Sequence, residues 1–412
     1  MLEHTTAEWE PHYASRAERM RASEIRELLK ILDKPGIISF AGGIPDPALF
    51  PMEAVQQAYA AVLADRALAS SGLQYSVSEG YLPLREWIVG HMASLGIACD
   101  PDNIVITSGS QQALEFLGRL LLSPGDTGLV AAPTYLGALQ AFAAYEPRYD
   151  ELRPEQGNRT PDSYRAAATK AGGTVKLAYL VPDFANPTGE TLSLAARERM
   201  LDLCTELDIP LLEDTAYAQL RFEGVPLPPI LALDIARAGH IDRTRTVYCG
   251  TFSKTLAPGL RIGFIVAGRP LIRRLVLIKQ ASDLNSATIN QMVMHRLAVS
   301  CFEAQVEASR RHYRKRAAAM MQALGLHMPE GVRWTRPEGG LFTWLTLPEG
   351  LDGAEILRRS IDEANVAFVP GRAFFFDGRG ANTLRLSYSL PAEDRIAEGI
   401  ARLAGIIRQS GR

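Results

Sequence analysis

The sequence has 412 residues, 47% hydrophobic and 22% charged, an ordinary globular composition with enough length for two domains. A formal net charge of -2 and a pI near 6.4, without a run of lysine and arginine, disfavour nucleic acid as a partner. The acidic N-terminus and the absence of a long uninterrupted apolar stretch disfavour a secretion signal and a membrane span.

The four cysteines are scattered along the chain. Their spacing fits neither a disulfide framework nor a zinc site, so we expect no metal and a reducing, cytoplasmic location. They are Cys99, Cys204, Cys249 and Cys301.

The chain divides into three predicted segments. Residues 1–60 contain a helix near Ser23 to Leu32 and a turn-rich stretch, 42–47, and we expect them to pack against the C-terminal part. Residues 61–305 alternate between apolar runs and helical patterns, which indicates a largely parallel sheet covered on both faces. Residues 306–412 mix strand and helix patterns and predict a smaller α+β domain.

Short apolar runs mark the predicted strands of the large domain. The uncharged stretch 127–145 is interrupted by polar residues and predicts a strand, a loop and a helix. The strand runs are 103–107, 128–132, 177–181, 209–212, 246–249 and 262–267, with a helix at 195–207. The C-terminal elements are helices over 301–324, over 353–364 and from 392 onward, and strands over 340–347 and 384–388.

Polar residues follow several of these strands, at the edge where parallel sheets bind ligands. Ser108, Ser110 and Gln111 surround Gly109 at a helix start, where free N–H groups and the helix dipole favour a phosphate. A serine that caps the helix is the alternative. Asn186 lies in a later Asn-Pro-Thr-Gly turn, whose residues backbone geometry alone could explain.

Asp214 follows the strand predicted over 209–212. A carboxylate at the end of a buried strand is costly unless a cation or a hydrogen-bond donor stabilises it. The sequence therefore predicts a partner for Asp214, and a helix N-terminus, an arginine or a bound ligand would each serve.

Lys254 lies in the loop Thr-Phe-Ser-Lys-Thr-Leu-Ala-Pro-Gly-Leu-Arg between two predicted strands, unlike the other six lysines. A lysine that forms a Schiff base needs a desolvated, preorganised setting to act as a neutral nucleophile. Ser253 and Arg261 flank it with a hydroxyl and a fixed cation suited to a phosphate. Ser-Lys alone is common in exposed loops, and the arginine seven residues later makes the pattern much more specific.

Together these motifs resemble the fold-type I aminotransferases of class I/II, and most closely the branch with 2-aminoadipate, kynurenine and aromatic aminotransferases. The similarity extends from about Ser23 to the C-terminal helix, with the motifs in the family's order. It implies an α/β fold with a mainly parallel seven-stranded sheet sandwiched by helices, plus a smaller α+β domain built from both termini. It also implies pyridoxal 5′-phosphate as cofactor and a homodimer with shared active sites.

The resemblance implies a role for each motif residue. Lys254 would carry the cofactor as a Schiff base and, once free, move a proton between substrate and cofactor. Asp214 would pair with the pyridine nitrogen, and Asn186 and Tyr217 would hydrogen-bond the ring hydroxyl. The remaining cofactor contacts would be Ser110, Gln111, Thr251, Ser253 and Arg261 at the phosphate, Tyr135 on the ring, and Tyr75 at the phosphate of the neighbouring subunit.

Substrate contacts are implied as well. Arg385 would bind the α-carboxylate beside Asn186, with the backbone at Gly43 against the substrate. Arg26 would meet the distal carboxylate of glutamate or 2-aminoadipate, which makes 2-oxoglutarate the expected acceptor in a ping-pong transamination. A solvent-facing helix arginine is the alternative for Arg26. Apolar residues near the entrance also suit aromatic or branched-chain amino acids.

Two other functions remain compatible with the motifs. A pyridoxal-phosphate-dependent lyase that eliminates or replaces a β-substituent would share the Lys254 and Asp214 chemistry on the same fold. Some regulators join an aminotransferase-like domain to a helix-turn-helix module, but the segment before Ser23 is too short for one. We therefore expect an enzyme.

Overall fold

The computed structural model describes residues 9–19 and 36–411, so the helix predicted near Ser23 and its Arg26 lie outside the described residues. The strands are β1 (Ile38–Ser39), β2 (Ile104–Thr107), β3 (Thr127–Ala131), β4 (Arg148–Leu152), β5 (Val175–Leu180), β6 (Leu211–Asp214), β7 (Thr246–Thr251), β8 (Gly263–Val266), β9 (Arg333–Trp334), β10 (Phe342–Thr346), β11 (Val366–Ala367), β12 (Val369–Pro370) and β13 (Thr383–Ser387). The α-helices are α1 (Met52–Ala64), α2 (Arg66–Leu73), α3 (Leu82–Ser94), α4 (Ser110–Leu121), α5 (Leu136–Ala143), α6 (Pro161–Lys170), α7 (Leu194–Leu207), α8 (Ile230–Ala238), α9 (Arg269–Ser282), α10 (Thr288–His327), α11 (Gly353–Ala364) and α12 (Glu393–Ser410).

The central sheet has seven strands in the order β2-β8-β7-β6-β5-β3-β4, which confirms the predicted mainly parallel sheet. β8 is antiparallel to both of its neighbours, and the other four pairings are parallel. The direct connection from β7 to β8, residues 252–262, contains no crossover helix, so the chain must return antiparallel. That connection is the loop with Lys254.

Both faces of the central sheet are buried. Successive side chains of a strand point to opposite faces, so Val105 packs in the cluster that contains Phe116 and Leu117 of α4. Ile104 and Ile106 pack in a second cluster, with helices α3 and α10. The sheet is therefore sandwiched by helices, as predicted. No helix in the described part of the chain is long and apolar enough to cross a membrane.

A second, antiparallel sheet has the order β12-β13-β10-β9 and packs with α10, α11 and α12. Ile38 of β1 pairs in parallel with Val366 of β11, so the N-terminal strand joins this C-terminal part of the molecule. Helix α10 runs without a break through position 305, where we predict a domain boundary. The domain limits at 60 and 305 stay predictions.

Several element boundaries differ from the predicted ones. Helix α10 begins at Thr288 instead of Cys301, because Met292, Val293 and Leu297 are buried and leave the first turns without a clear polar face. Strand β6 begins at Leu211 instead of Ile209, after Pro210, which has no N–H to give to a neighbouring strand.

Strand β4 was not predicted, because its sequence Arg-Tyr-Asp-Glu-Leu is mostly polar. It forms an edge of the central sheet, where charged residues are usual.

Candidate active site

Lys254 lies in the connection from β7 to β8, at the edge of the sheet where the parallel strands end. Its Nζ donates a hydrogen bond to the Gly43 carbonyl at 3.0 Å and lies 5.8 Å from the centre of the Tyr217 ring. Burial, with help from the Arg385 and Arg261 cations, lowers the pKa of Lys254 from 10.5 to about 8, against the opposing charge of Asp214. A lysine with this pKa is in part the neutral amine near physiological pH, which a nucleophile requires.

Asp214 is the last residue of β6, and its neighbour Glu213 points to the opposite face of the sheet. Glu213 accepts hydrogen bonds from the first two N–H groups of α8, at 2.7 and 2.9 Å, so the helix-capping role considered for Asp214 belongs to Glu213. Asp214 instead accepts from the Tyr179 hydroxyl at 2.8 Å and from the Ala216 N–H at 3.3 Å. Burial raises the pKa of Asp214 to about 6, with both hydrogen bonds opposing.

Tyr179 is a residue of the site that the sequence analysis missed. It lies in β5 within an apolar run, where its aromatic ring accounts for its presence. Its side chain is fully buried, and burial raises the pKa of its hydroxyl well above 10, so it stays a neutral donor. A buried tyrosine needs a hydrogen-bond partner, and this requirement was the one available clue.

Arg385 of β13 is buried, with 2% of its surface exposed, so it is not a surface arginine. Its Nη1 donates to Asn186 Oδ1 and its Nη2 to the Ala41 carbonyl, each at 2.7 Å. The guanidinium carbon lies over the rings of Phe342 and Phe374, 4.3 and 5.1 Å from their centres. Burial lowers the pKa of Arg385 to about 10, which leaves it cationic at neutral pH.

The Nε of Arg385 is buried and has no hydrogen-bond partner among the described residues. Unpaired buried donors are costly and rare, and those that occur often mark the place of a ligand. An anion beside the Arg385 guanidinium would satisfy this donor.

Gly43 brings the backbone of the N-terminal segment against these side chains. A Cβ built on Gly43 would lie 2.6 Å from Cζ of Phe342, so a larger residue does not fit without movement. Its carbonyl accepts the Lys254 hydrogen bond, while the carbonyl of Ala41 two residues earlier accepts that of Arg385. The segment thus connects the lysine to the arginine.

The start of α4 forms the predicted anion site. Gly109 is the N-cap residue, with a φ of 83° and no side-chain cap, so the serine-cap alternative is wrong. A Cβ at Gly109 would collide with the Arg261 guanidinium, whose Nη2 donates to the Ser108 carbonyl at 3.3 Å. A Cβ at Gly263 would lie 2.8 Å from the Ser110 backbone nitrogen, which shows how closely β8 approaches the helix start.

Hydroxyl and amide side chains border this helix start. Thr251 Oγ1 donates to Ser253 Oγ at 3.0 Å, directly before Lys254. Gln111 Nε2 donates to the Gly137 carbonyl at 2.7 Å and so joins α4 to the first turn of α5. Uncapped N–H groups, an arginine and hydroxyls together suit a phosphate group.

Tyr135 and Tyr217 complete the group of aromatic residues. Tyr135 precedes α5, is half-buried and packs against the core cluster that contains Phe142 and Tyr179. Tyr217 is buried and packs edge to face on Phe342, with 5.6 Å between ring centres. Burial raises the pKa of Tyr217, with the nearby Tyr135 adding to the effect, while Arg385 and a hydrogen bond with Asn186 oppose it.

Tyr75 stands apart from the other predicted site residues. The residue comes shortly after the end of α2, and it is 80% exposed. Within the described residues of the chain, no hydrogen bond or ion pair joins it to the lysine, the acid or the anion site. Arg26 lies outside the described residues, so its place in the site stays a prediction.

A buried acid, a lysine of lowered pKa, a buried arginine and a helix start suited to a phosphate are the groups with which an enzyme can hold pyridoxal phosphate. The sequence profile of the family described as aminotransferase class I and II matches residues 36–403. The chain belongs to this family.

Individual relatives are similar over nearly their whole length. The chain is 42% identical to a 2-aminoadipate transaminase of Thermus thermophilus, over 97% of both chains. It is 40% identical to an aromatic-amino-acid aminotransferase of Thermococcus litoralis, over 99% of this chain and 97% of the relative. The crystal structure of Pyrococcus horikoshii kynurenine aminotransferase, solved with PMP, has a TM-score of 0.90 at 40% identity and covers 98% of this chain and 99% of its own.

The chain is accordingly a fold-type I, pyridoxal-phosphate-dependent transaminase. The residues present fit this cofactor on three structural grounds. The uncapped start of α4 with Arg261 suits the phosphate, the buried Asp214 forms no direct ion pair within the described residues, and the lysine has a lowered pKa.

Proposed function

We propose that the chain transaminates α-amino acids of the 2-aminoadipate, aromatic or branched-chain type with 2-oxoglutarate, by a ping-pong mechanism. The observation that carries this proposal is the convergence of Lys254, Asp214 and Arg385. Nζ of Lys254 and the guanidinium of Arg385 hydrogen-bond the same short backbone segment, at Gly43 and Ala41. The pKa of Lys254 responds to both Arg385 and Asp214.

The cofactor would be held by residues at the edge of the central sheet where the parallel strands end. When bound, pyridoxal phosphate supplies an electron-accepting ring that stabilises the charge left on the substrate Cα when its proton is removed. Asp214 would bind the pyridine nitrogen, Asn186 and Tyr217 the ring hydroxyl, and Tyr135 the ring face. The phosphate would be bound by Ser110, Gln111, Thr251, Ser253 and Arg261.

Lys254 would act on the substrate proton. Its amine is held 3.0 Å from the Gly43 carbonyl, on the side of the site where Arg385 lies. A pKa of about 8 lies close to physiological pH, which suits an amine that takes a proton from Cα and returns it. Lys254 is therefore the general base and the general acid of the transfer.

Asp214 would carry a negative charge during the reaction. Its pKa of about 6 in this site leaves it ionised at neutral pH, and a cationic partner would lower the pKa further. An ionised, buried carboxylate keeps the pyridine nitrogen protonated. Tyr179 holds this carboxylate in place through its 2.8 Å hydrogen bond.

Arg385 would bind the substrate α-carboxylate. Its unpartnered Nε is buried, and the hydrogen bonds to Asn186 and the Ala41 carbonyl hold the guanidinium in one orientation. A carboxylate held by an arginine through two hydrogen bonds has a fixed orientation. That orientation directs the Cα–H bond toward Lys254.

Arg26 would distinguish acidic from apolar substrates. The relatives named for 2-aminoadipate and for aromatic amino acids support a site that takes both side-chain types. Half-reactions of an Arg26→Ala variant test this, and we expect slower transfer from glutamate and 2-aminoadipate with little change for an apolar amino acid. Unchanged rates with both would exclude Arg26 from the site.

The protein would act as a cytoplasmic homodimer with shared sites. Tyr75 is 80% exposed in the single chain, next to exposed Leu73 and Val77, which suits a tyrosine that reaches a neighbouring subunit. A Tyr75→Phe variant should bind pyridoxal phosphate more weakly while remaining a dimer. A fully active monomer would contradict this arrangement.

The direct test is an absorbance scan of the protein loaded with pyridoxal phosphate against a panel of amino acids. We expect conversion to the pyridoxamine form with 2-aminoadipate or aromatic donors, without release of ammonia. Lys254→Ala should abolish the conversion, whereas the exposed Lys176→Ala serves as the matched control. A wild-type protein that takes up no pyridoxal phosphate would overturn the proposal.

A further inference from the structure

Lys279 is a fully buried lysine that has no role in the proposed reaction. It lies in α9, and its Nζ makes four polar contacts: both carboxylate oxygens of Asp283 at 3.0 Å, Ser286 Oγ at 2.9 Å and Gln112 Oε1 at 3.2 Å. Burial of an ammonium group is costly, and the Asp283 carboxylate offsets part of that cost. The Lys279 cluster consists of Lys279, Asp283, Ser286 and Gln112.

The Gln112 side chain links this cluster to the anion site. Its Oε1 accepts the Ser108 N–H at 2.8 Å as well as the Lys279 hydrogen bond, and its Nε2 donates to Asp283 Oδ2 at 2.8 Å. The Lys279 ammonium group therefore holds the Oε1 atom of the amide, and the Asp283 carboxylate holds the Nε2 atom. These two contacts determine that Oε1 faces the Ser108 N–H. The Ser108 hydroxyl meets Ser286 Oγ at 3.1 Å.

Ser108 in turn orients the groups that face the anion. Its carbonyl accepts the hydrogen bond from Arg261 Nη2 at 3.3 Å, and the next residue, Gly109, is the uncapped N-cap of α4. A chain of hydrogen bonds thus runs from Lys279 through Gln112 and the Ser108 backbone to the Arg261 guanidinium. None of the cluster side chains needs to touch the anion itself.

We infer that Lys279 is a positioning residue for the phosphate-binding turn 108–112 and acts through Gln112. This inference rests on the proposed function of that turn as the phosphate site. Groups that are held in place before a ligand arrives lose less freedom on binding, and this raises affinity. The Lys279 cluster should raise affinity only for ligands that have a phosphate, because it holds the turn 108–112 and no other part of the site.

The experiment compares two ligands that differ only in the phosphate. Cofactor-free protein is titrated with pyridoxal phosphate and with pyridoxal, which lacks the phosphate, and binding is followed by absorbance. For Lys279→Met we expect the Kd for pyridoxal phosphate to rise by about 10-fold, as for a side chain such as Arg261 that must become ordered on binding. The Kd for pyridoxal should change by less than about 2-fold. Lys176→Met, at an exposed lysine, is the matched control.

Gln112→Met is the second variant, because it breaks the link while leaving the Lys279–Asp283 ion pair in place. It should produce the same selective loss, and it keeps the test decisive if Lys279→Met does not fold. The inference would be overturned if Lys279→Met raised the Kd for both ligands equally or left the Kd for pyridoxal phosphate unchanged. A Gln112→Met variant with wild-type Kd values would also overturn it. A wild-type protein that binds both ligands equally would instead refute the phosphate site itself.

Discussion

The hydrogen bond from Tyr179 to Asp214 makes a quantitative prediction about the cofactor-free protein. Tyr179→Phe removes a 2.8 Å hydrogen bond to a buried carboxylate. Such bonds contribute about 1.5 to 3 kcal/mol, which corresponds to a rise of about 1 to 2 units in the Asp214 pKa. The pKa should therefore move from about 6 to between about 7 and 8.

The sign of the pH dependence follows from this direction. Because burial raises the folded-state pKa of Asp214 above the unfolded value, its contribution to stability is present at low pH and is lost as pH rises through the folded pKa. In the variant this loss continues to a higher pH. Tyr179→Phe should therefore become less stable relative to wild type as pH rises. The difference between their free energies of unfolding should grow by about 1.5 to 3 kcal/mol between about pH 5 and about pH 8.

Denaturant unfolding of both proteins without cofactor, at several pH values, measures this difference. Tyr164→Phe is the matched control, because Tyr164 is also buried. Its hydroxyl donates at 2.8 Å to the backbone carbonyl of residue Glu151, and a backbone carbonyl does not titrate. The difference in the free energy of unfolding between wild type and Tyr164→Phe should be independent of pH in this range. A Tyr179→Phe difference that is also independent of pH would refute the assigned role of the hydrogen bond.

Three further predictions concern the reacting side chains. Gly43→Ala should lower kcat/KM by at least about 10-fold, because the new Cβ would lie 2.6 Å from Phe342, whereas Gly42→Ala, with its nearest contact at 3.5 Å, should be tolerated. Arg385→Lys should raise KM for the amino acid about 100-fold, since an ammonium group cannot form two parallel hydrogen bonds, and steady-state kinetics that show an unchanged KM would contradict this. The rate at which cofactor-free protein captures pyridoxal phosphate covalently should rise with pH through about 8, as Lys254 loses its proton, and a flat stopped-flow profile would exclude the lowered pKa.

The sequence allowed prediction of the residues whose position follows from strand ends. Asp214 and Lys254 each come at or directly after a strand of the central sheet, so their meeting at one edge could be predicted without coordinates. Arg385 is harder, because it lies in the second sheet and reaches the site only through the packing of β13 beside β10. The resemblance to a family supplied its role.

Other contacts depend on packing between elements that are distant in sequence. Tyr179 and Lys279 occur in a strand and a helix of ordinary composition, and only the fold brings them to Asp214 and Gln112. The role of Glu213, which lies beside Asp214 and points to the opposite face of the sheet, likewise depends on packing, because its partners are the N–H groups of Ile230 and Leu231 at the start of α8.

The antiparallel pairing of β7 with β8 limits how far the molecule can open locally at the base of the loop between them. Thr251 and Gly263 are paired across the two strands, so the loop with Lys254 is closed at its base in the interior of the sheet. Separating these strands, which are buried on both faces, would cost nearly as much as global unfolding. Amide protons at the base of this loop should thus be among the slowest to exchange.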